Sequence, residues 1–198
     1  MDVSSSRDDE PAAGGDPRTR VLRAAMDIIV ERGLDKVRLS EIGRRTNMST
    51  GHVLYYFGTK DQILVETLQW SEAELTRRRR ASLTDATPGW QQLRVFVEYY
   101  LPTSHEDPVW ALWVEMLVRR HVAEHTAAVR ATGAEWERDL ARILRQGRRA
   151  GAFMGGGGSF ASRLIALMDG LATQILQRSR ERTSAIELVL KQCRIELR

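Results

Sequence analysis

Apolar side chains recur every three or four residues along almost the whole chain after Pro17, and no convincing segment alternates apolar and polar residues. That spacing is typical of amphipathic helices, so the sequence predicts an all-α fold. The first segment begins at Asp16-Pro17, a capping acceptor followed by proline, and ends before Gly33. Its apolar stripe consists of Val21, Leu22, Ala25, Ile28 and Ile29.

Two short helices are predicted next, from about Ser40 to Arg45 and from about Thr50 to Tyr56, with turn and capping residues 47–49 between them. Thr59 and Gln62 form a capping box that opens a long fourth helix over about residues 60–80. Further start signals bring the total to about nine helices; they lie at Thr87-Pro88, Asp107-Pro108, near Glu124, at Ser159, and at Ser184 with Glu187.

Charge divides the chain into three regions. Residues 1–16 hold five acidic residues, one arginine and almost no large apolar side chains, so we expect a disordered acidic tail. Residues 18–60 hold nine lysines and arginines against four acidic residues, and residues 17–60 are expected to form a compact three-helix head. Residues 61–198 are expected to form the helical body. Within the body, the glycines at 155–158 are predicted to be a flexible connector, because the Gly-Lys-Ser/Thr ending of a phosphate loop is absent.

Cellular location is inferred from what the sequence lacks. Cys193 is the only cysteine, which excludes an internal disulfide. The N-terminus has no basic start followed by an apolar run, and no apolar stretch is long enough to span a bilayer. We therefore expect a cytoplasmic protein without a membrane partner.

Residues 40–57 have the pattern of a helix-turn-helix, in which the second short helix enters the major groove of DNA. Polar residues Thr50 and His52 lie on the predicted reading helix, while Ile42, Met48 and Val53 supply its inner face. Lys60 stands at the start of the fourth helix, where free N–H groups favour a phosphate. This pattern predicts sequence-specific binding to double-stranded DNA.

The head closely resembles the TetR family of regulators in Ser49-Thr50-Gly51, in Tyr56-Phe57 and in Lys60. The resemblance implies nine DNA-binding residues. Base contact or close approach is expected at Thr50, Gly51 and His52, and phosphate contacts at Tyr55, Tyr56 and Lys60. The further candidates are Arg38, Ser40 and Arg44.

The chain departs from the family pattern at two positions. Leu54 stands where the family most often has a tyrosine, which removes one phosphate-bonding hydroxyl, and Gly43 replaces a usual alanine. The phosphate contacts are therefore less directly transferable to this chain than the rest of the pattern.

The resemblance also implies a body that binds an effector and dimerises through its last two helices. A pocket for a small apolar or aromatic effector is expected from aromatic and large apolar residues on successive helices: Trp70, Phe96, Tyr99, Tyr100, Trp110, Trp113, Met116 and Trp136. A homodimer interface is expected from two apolar stripes: Leu164, Leu167, Met168, Leu171 and Ile175, then Ile186, Val189, Leu190 and Cys193. Packed core explains the two apolar stripes nearly as well, and aromatic helix faces are more often packed core than pocket.

The function predicted from these features is a repressor without cofactor or metal, released from a palindromic operator by a small molecule. One alternative is a similar DNA binder that answers to a protein partner, or to no ligand. A second is a metal-dependent helical enzyme, because His121, Glu124 and His125 have the spacing of a zinc-protease motif. No third metal ligand is evident, and the motif lies near a predicted break between helices.

Overall fold

The computed structural model describes residues 16–83, 89–118 and 123–198. Within these ranges it contains helices and no β-strand, which confirms the predicted all-α fold. The elements are α1 (Pro17–Arg32), a 3-10 turn (Leu34–Lys36), α2 (Leu39–Thr46), α3 (Thr50–Phe57), α4 (Lys60–Ala81), α5 (Gly89–Tyr100), α6 (Pro108–Val118), α7 (Ala123–Arg149), α8 (Phe160–Leu176) and α9 (Arg182–Glu196). Residues 1–15 of the predicted acidic tail and the helix start at Thr87-Pro88 lie outside the described residues.

Two predicted helix starts have the expected capping atoms. The Oδ1 atom of Asp107 accepts hydrogen bonds from the backbone N–H groups of Val109 (3.0 Å) and Trp110 (3.1 Å) at the start of α6. At α4, Thr59 Oγ1 accepts from the N–H of Gln62 at 3.0 Å. The Gln62 side chain donates to Glu66 rather than capping in return, so only half of the capping box forms.

Two other starts differ from the prediction. The Asp16 carboxylate makes no capping hydrogen bond at α1, although Pro17 does begin the helix. The helix α9 begins at Arg182, so Ser184 lies inside it and the predicted capping box at Ser184 is wrong. The Arg182 side chain donates to the carbonyl oxygens of Pro102 (3.0 Å) and Glu98 (2.6 Å), and this tertiary anchor fixes the helix start earlier in the chain.

The glycine run at 155–158 lies against the end of α9. The Met154 N–H donates to the Leu197 carbonyl at 2.9 Å, and Arg148 Nη1 donates to the Gly156 carbonyl at 2.9 Å. A Cβ atom at Gly155 would lie 2.1 Å from the Glu196 carbonyl oxygen. Close backbone packing therefore explains glycine at this position.

The buried side chains form two clusters. The head core joins apolar residues of α1 to α4 with Leu112 and Met116 of α6 and Ala128 of α7. The body core joins α5, α7, α8 and α9. Helix α4 contributes Ile63, Leu64, Val65 and Leu68 to the head core and packs Leu75 against the body core, so it links the two.

In the part of the chain that the structure describes, none of the helices is long and apolar enough to cross a bilayer.

Candidate functional sites

The helix-turn-helix consists of α2, a tight turn and α3. Asn47 ends α2 in the left-handed conformation with φ of 55°, and the Met48 N–H donates to the Gly43 carbonyl at 2.8 Å. The Ser49 hydroxyl caps α3 by accepting from the His52 N–H at 3.1 Å. A Cβ atom at Gly43 would lie only 2.5 Å from the Met48 carbonyl oxygen, so this turn closes around a glycine.

The outer face of α3 carries the predicted reading residues. Thr50, Gly51 and His52 are exposed, and Tyr55 is 82% exposed. The His52 ring stacks on the half-buried Tyr56 ring with centroids 5.2 Å apart. Because Val53 and Phe57 fill the inner face, α3 can present its outer face to a groove without exposing the head core.

Basic and polar residues flank this face. Arg38, Ser40 and Lys60 are exposed, with Lys60 the first residue of α4. Arg44 is exposed and pairs with Glu41 at 2.7 Å, while Arg45 is engaged with both Glu31 and Glu41.

Arg44 and Arg45 differ in how much of their positive charge is available to a DNA phosphate. Hydrogen bonds from Arg44 and then from Arg45 lower the pKa of the Glu41 carboxyl to about 2, so it stays ionised. Two carboxylates neutralise Arg45, whereas Arg44 keeps most of its surface in solvent.

Arg18 was not singled out by the sequence, yet it holds the reading helix in place. Its Nη1 atom donates to the Tyr56 carbonyl at 2.6 Å, and its guanidinium lies 4.6 Å from the centroid of the Phe57 ring. The same side chain forms an ion pair with Glu66 on α4. Arg18 thus ties the end of α3 to α1 and α4. These partners lie 38 to 48 residues away, so the sequence contains no local signal for the contact.

The body contains a cavity of about 510 Å³, partly open to solvent, between α4 and the five helices that follow. Five of the eight predicted pocket residues line it: Tyr99, Tyr100, Trp110, Trp113 and Trp136. Trp70 and Met116 instead pack in the head core, and Phe96 is fully buried behind the cavity wall. The prediction of a pocket role for these three is corrected, because their helix faces point into packed core.

Four aromatic rings of the cavity form a connected group. The Tyr100 ring centroid lies 5.0 Å from that of Trp136 and 6.0 Å from that of Trp110, and Trp110 lies 5.3 Å from Trp113. Neighbouring planes are inclined by 61° to 81°, so the rings stand at steep angles to one another. Such an arrangement can surround a compact group with ring faces and edges.

Two carboxylates complete this group. Glu72 of α4 accepts a hydrogen bond from Trp136 Nε1 at 2.9 Å, and Asp169 of α8 accepts one from the Tyr100 hydroxyl at 2.5 Å. Burial raises the pKa of both carboxyls above their ordinary values, although these hydrogen bonds act in the opposite direction. Burial and the adjacent Asp169 also raise the pKa of Tyr100, so its hydroxyl remains a donor.

Sequence reasoning missed both carboxylates. Asp169 could have been noticed in the sequence, because it is an acidic residue within an apolar stretch of α8. Glu72 could not, since α4 is rich in charged residues along its length.

The predicted dimer stripes are almost entirely internal to one chain. Eight of the nine residues are buried in the body core: Leu164, Met168, Leu171, Ile175, Ile186, Val189, Leu190 and Cys193. Leu167 is half-buried. The outer faces of these helices carry other residues, including Ala166 and Gly170 on α8 and Leu188 and Ile195 on α9. Any partner chain packing on α8 and α9 therefore meets those side chains instead.

The zinc-protease spacing is only partly within the described residues. His121 lies outside them. His125 is 1% exposed, and its Nε2 atom lies 4.0 Å from the Asp61 carboxylate. Among the described residues, no cluster of three or more histidine, cysteine or acidic side chains is arranged to hold a metal ion.

An exposed helix-turn-helix on a helical body with an aromatic cavity defines a DNA-binding regulator with space for a small molecule. Two family models match the chain: bacterial regulatory proteins of the tetR family over residues 21–67, and the BetI-type transcriptional repressor C-terminal domain over residues 90–195. The second match covers more than half of the chain. The chain belongs to the TetR family of transcriptional regulators.

Individual relatives agree with this assignment. The HTH-type transcriptional regulator BetI of Burkholderia mallei is 31% identical over 166 residues, which is 78% of each chain. A transcriptional regulator from Saccharomonospora viridis, crystallised in complex with choline, superposes with a TM-score of 0.77 at 25% identity, over 89% of this chain and 95% of that one. A TetR regulator from Haloarcula marismortui has a TM-score of 0.79 at 18% identity, over 92% and 98% of the two chains, and shares the fold.

Proposed function

We propose that this chain is a homodimeric repressor that binds a palindromic operator and is released by a small quaternary ammonium cation of the choline class. The observation that carries the proposal is the aromatic cavity flanked by Glu72 and Asp169. The match to BetI-type repressors and the choline-bound relative from Saccharomonospora viridis support the same ligand class.

The chemistry of the cavity favours a cation over the apolar or aromatic effector expected from sequence. A quaternary ammonium has no N–H to donate, so aromatic faces and carboxylates are the groups that attract it. Tyr100, Trp110, Trp113 and Trp136 supply the rings. A neutral apolar ligand would make no use of the Glu72 and Asp169 carboxylates that line the cavity, whereas a cation attracts them in their ionised form. Arg78 and Arg182 also line the cavity, but the Arg182 side chain is already bound to the Pro102 and Glu98 carbonyl oxygens.

The cavity also bears on the alternative of a regulator without ligand. Its volume of about 510 Å³ falls within the range of about 300 to 1,000 Å³ usual for small-molecule sites. A body built only to pack against a protein partner would not need this space. No catalytic activity is proposed for the chain. The proposed location is the cytoplasm, where the DNA is.

Dimerisation follows from the size of a DNA half-site. One reading helix contacts few base pairs, whereas two related by a two-fold axis read half-sites about 34 Å apart. The outer faces of α8 and α9 are proposed as the contact between chains. Small residues such as Ala166 and Gly170 permit close approach of helix backbones there.

Ligand binding is proposed to act through α4. Glu72 lies on this helix, which also carries Lys60 at the head and contributes to both cores. A cation that binds Glu72 in one conformation of α4 more strongly than in another shifts the population toward that conformation. Displacement of α4 changes the separation of the two heads and releases the operator.

The test begins with selection of bound DNA from a random pool, followed by titration with choline. We expect a palindrome to be enriched and choline to weaken its binding about 5-fold to 150-fold. The control is the neutral isostere of choline in which carbon replaces nitrogen. Failure to enrich a palindrome would contradict binding to a palindromic operator. Equal release by the neutral isostere would contradict the proposal that the ligand is a cation.

A further inference from the structure

Arg79 of α4 is a fully buried arginine outside the cavity lining. Its side chain is 0% exposed and forms an ion pair with Asp139 of α7. Its Nε and Nη1 atoms have no hydrogen-bond partner. Burying a charged guanidinium with unpaired N–H groups destabilises the fold unless another favourable interaction compensates for it.

That interaction is with aromatic rings. The guanidinium carbon lies 3.9 Å from the centroid of the Trp136 ring and 5.6 Å from that of Phe96. Both distances are within the range of cation–π attraction. The guanidinium is therefore held between a carboxylate and the faces of two rings, one of which lines the cavity.

Helix α4 contacts Trp136 at two points. Glu72 accepts from its Nε1 atom, and Arg79 covers one face of its ring. These two residues are seven apart, which is about two turns, so they lie on the same side of α4. Because Trp136 lines the cavity and Arg79 does not, Arg79 supports the ring from outside the ligand space.

We propose that Arg79 is a positioning residue of the ligand cavity: it fixes Trp136 from behind, so that the ring meets the ligand in one orientation and remains attached to α4. The inference rests on the proposed function, because the ligand is the organic cation proposed above. The new element is that the Arg79 guanidinium holds one face of the Trp136 ring, while the ligand cation contacts the same ring from the cavity. Ligand affinity and coupling to α4 then depend on a residue that never touches the ligand.

The test removes the ion pair as a unit, since Arg79→Met alone would leave Asp139 buried with less countercharge. In the double variant Arg79→Met with Asp139→Asn, we expect choline to bind about tenfold more weakly by calorimetry. The matched control is Arg80→Met, because Arg80 also approaches Asp139, at 3.5 Å, but is solvent-exposed. The control is expected to bind choline within about twofold of the unmodified protein.

A second readout follows the ring itself. With fluorotryptophan incorporated, the Trp136 resonance is assigned by Trp136→Phe, and Trp70 in the head core reports that the protein is folded. We expect the Trp136 resonance to shift or broaden in the double variant without choline and to stay unchanged in Arg80→Met. An unchanged Trp136 resonance in the double variant would overturn the inference, whatever the choline affinity.

The two proposals fail separately. If the unmodified protein binds no choline, the ligand class is wrong, and the Trp136 resonance still tests whether Arg79 positions the ring. If the double variant loses the folded Trp70 signal, Arg79→Lys decides, since it keeps a charge beside Asp139 but loses the planar guanidinium. A shifted Trp136 resonance with weaker choline binding in that variant supports the inference, and an unchanged resonance overturns it.

Discussion

Gly43 controls the geometry of the helix-turn-helix through the absence of one carbon atom. We expect Gly43→Ala to lower the free energy of unfolding by about 1 to 3 kcal/mol, because the added Cβ would lie 2.5 Å from the Met48 carbonyl oxygen. Thermal or urea unfolding measures this. The control is Gly51→Ala on α3, where the nearest atom to an added Cβ is 3.9 Å away. Equal stability of the two variants would show that the turn relaxes freely.

His52 and Lys60 are expected to contribute to DNA binding in different ways. His52 lies exposed on α3 and stacks on Tyr56, so His52→Ala should change which sequence is preferred. Lys60 lies at the start of α4, so Lys60→Ala should weaken binding to all sequences similarly and reduce its salt dependence. Binding to the selected palindrome and to single-base variants at several salt concentrations separates these effects. The same loss on every sequence for both variants would contradict this division.

The two cavity carboxylates predict a pH-dependent affinity for choline. Burial raises the pKa of Glu72 and Asp169, so part of each population is protonated at a pH where exposed carboxyls are ionised. A bound cation favours the ionised form, so binding lowers these pKa values and releases protons. Affinity should therefore rise with pH until the raised pKa values of the free protein are passed, and then level off.

Calorimetry across a pH series measures that dependence. The control is Glu72→Gln, which keeps an oxygen acceptor for Trp136 Nε1 but cannot ionise. This variant should bind choline more weakly and with a flatter pH profile. An affinity independent of pH in the unmodified protein would exclude titrating carboxylates from the site.

At the scale of elements, α8 and α9 each have a strongly apolar face and a less apolar outer face. Their strongly apolar stripes are buried in the body core of the same chain. Their outer faces are less apolar, with Ala166 and Gly170 on α8 and Leu188 and Ile195 on α9. The helices predicted from sequence to dimerise remain the proposed interface, but through side chains on the opposite face.

An arginine on the outer face of α8 tests that interface. We expect Ala166→Arg to convert a dimer to a monomer in analytical ultracentrifugation, because it places a charged, bulky group between closely packed helices. The control is Ala127→Arg, at an exposed alanine of α7. Both variants should keep the helix content of the unmodified protein in circular dichroism. A dimer that persists in Ala166→Arg would move the interface elsewhere.

At the scale of the whole molecule, the head and the body share buried surface. The head core extends beyond the boundary expected at residue 60, because it includes α4 as far as Leu68 and takes Leu112 and Met116 from α6. A head that depends on α6 for its core is mechanically connected to the cavity, which α6 also lines through Trp110 and Trp113. In the proposed mechanism, this connection is the route by which a ligand in the body affects the reading helix.

Leu112 tests that shared core. We expect Leu112→Ala to lower the free energy of unfolding by about 2 to 5 kcal/mol while head and body still unfold in one transition. The control is Leu117→Ala on the same helix, where the side chain is 47% exposed and the expected change is below about 1 kcal/mol. Circular dichroism and tryptophan fluorescence should follow the same curve. Two separate transitions would instead support independent domains.

Much of the head was predictable because its signals are local. Helix spacing, Pro17, Gly33, the Ser49 cap and the half-formed box at Thr59 each involve residues within a few positions of one another. The outward direction of the reading residues follows from the same periodicity, since Val53 and Phe57 fix the inner face of α3. The resemblance then assigned the family.

The sequence by itself determined an all-α chain with a helix-turn-helix and an aromatic body. Only the tertiary structure decided which aromatic residues line the cavity, that Glu72 and Asp169 join them, and that the Arg79 guanidinium lies over the Trp136 ring. It also decided that the apolar stripes of α8 and α9 are internal. The physical reason is that helical spacing shows which face of a helix is buried, but not whether its own core, a ligand or a second chain covers that face.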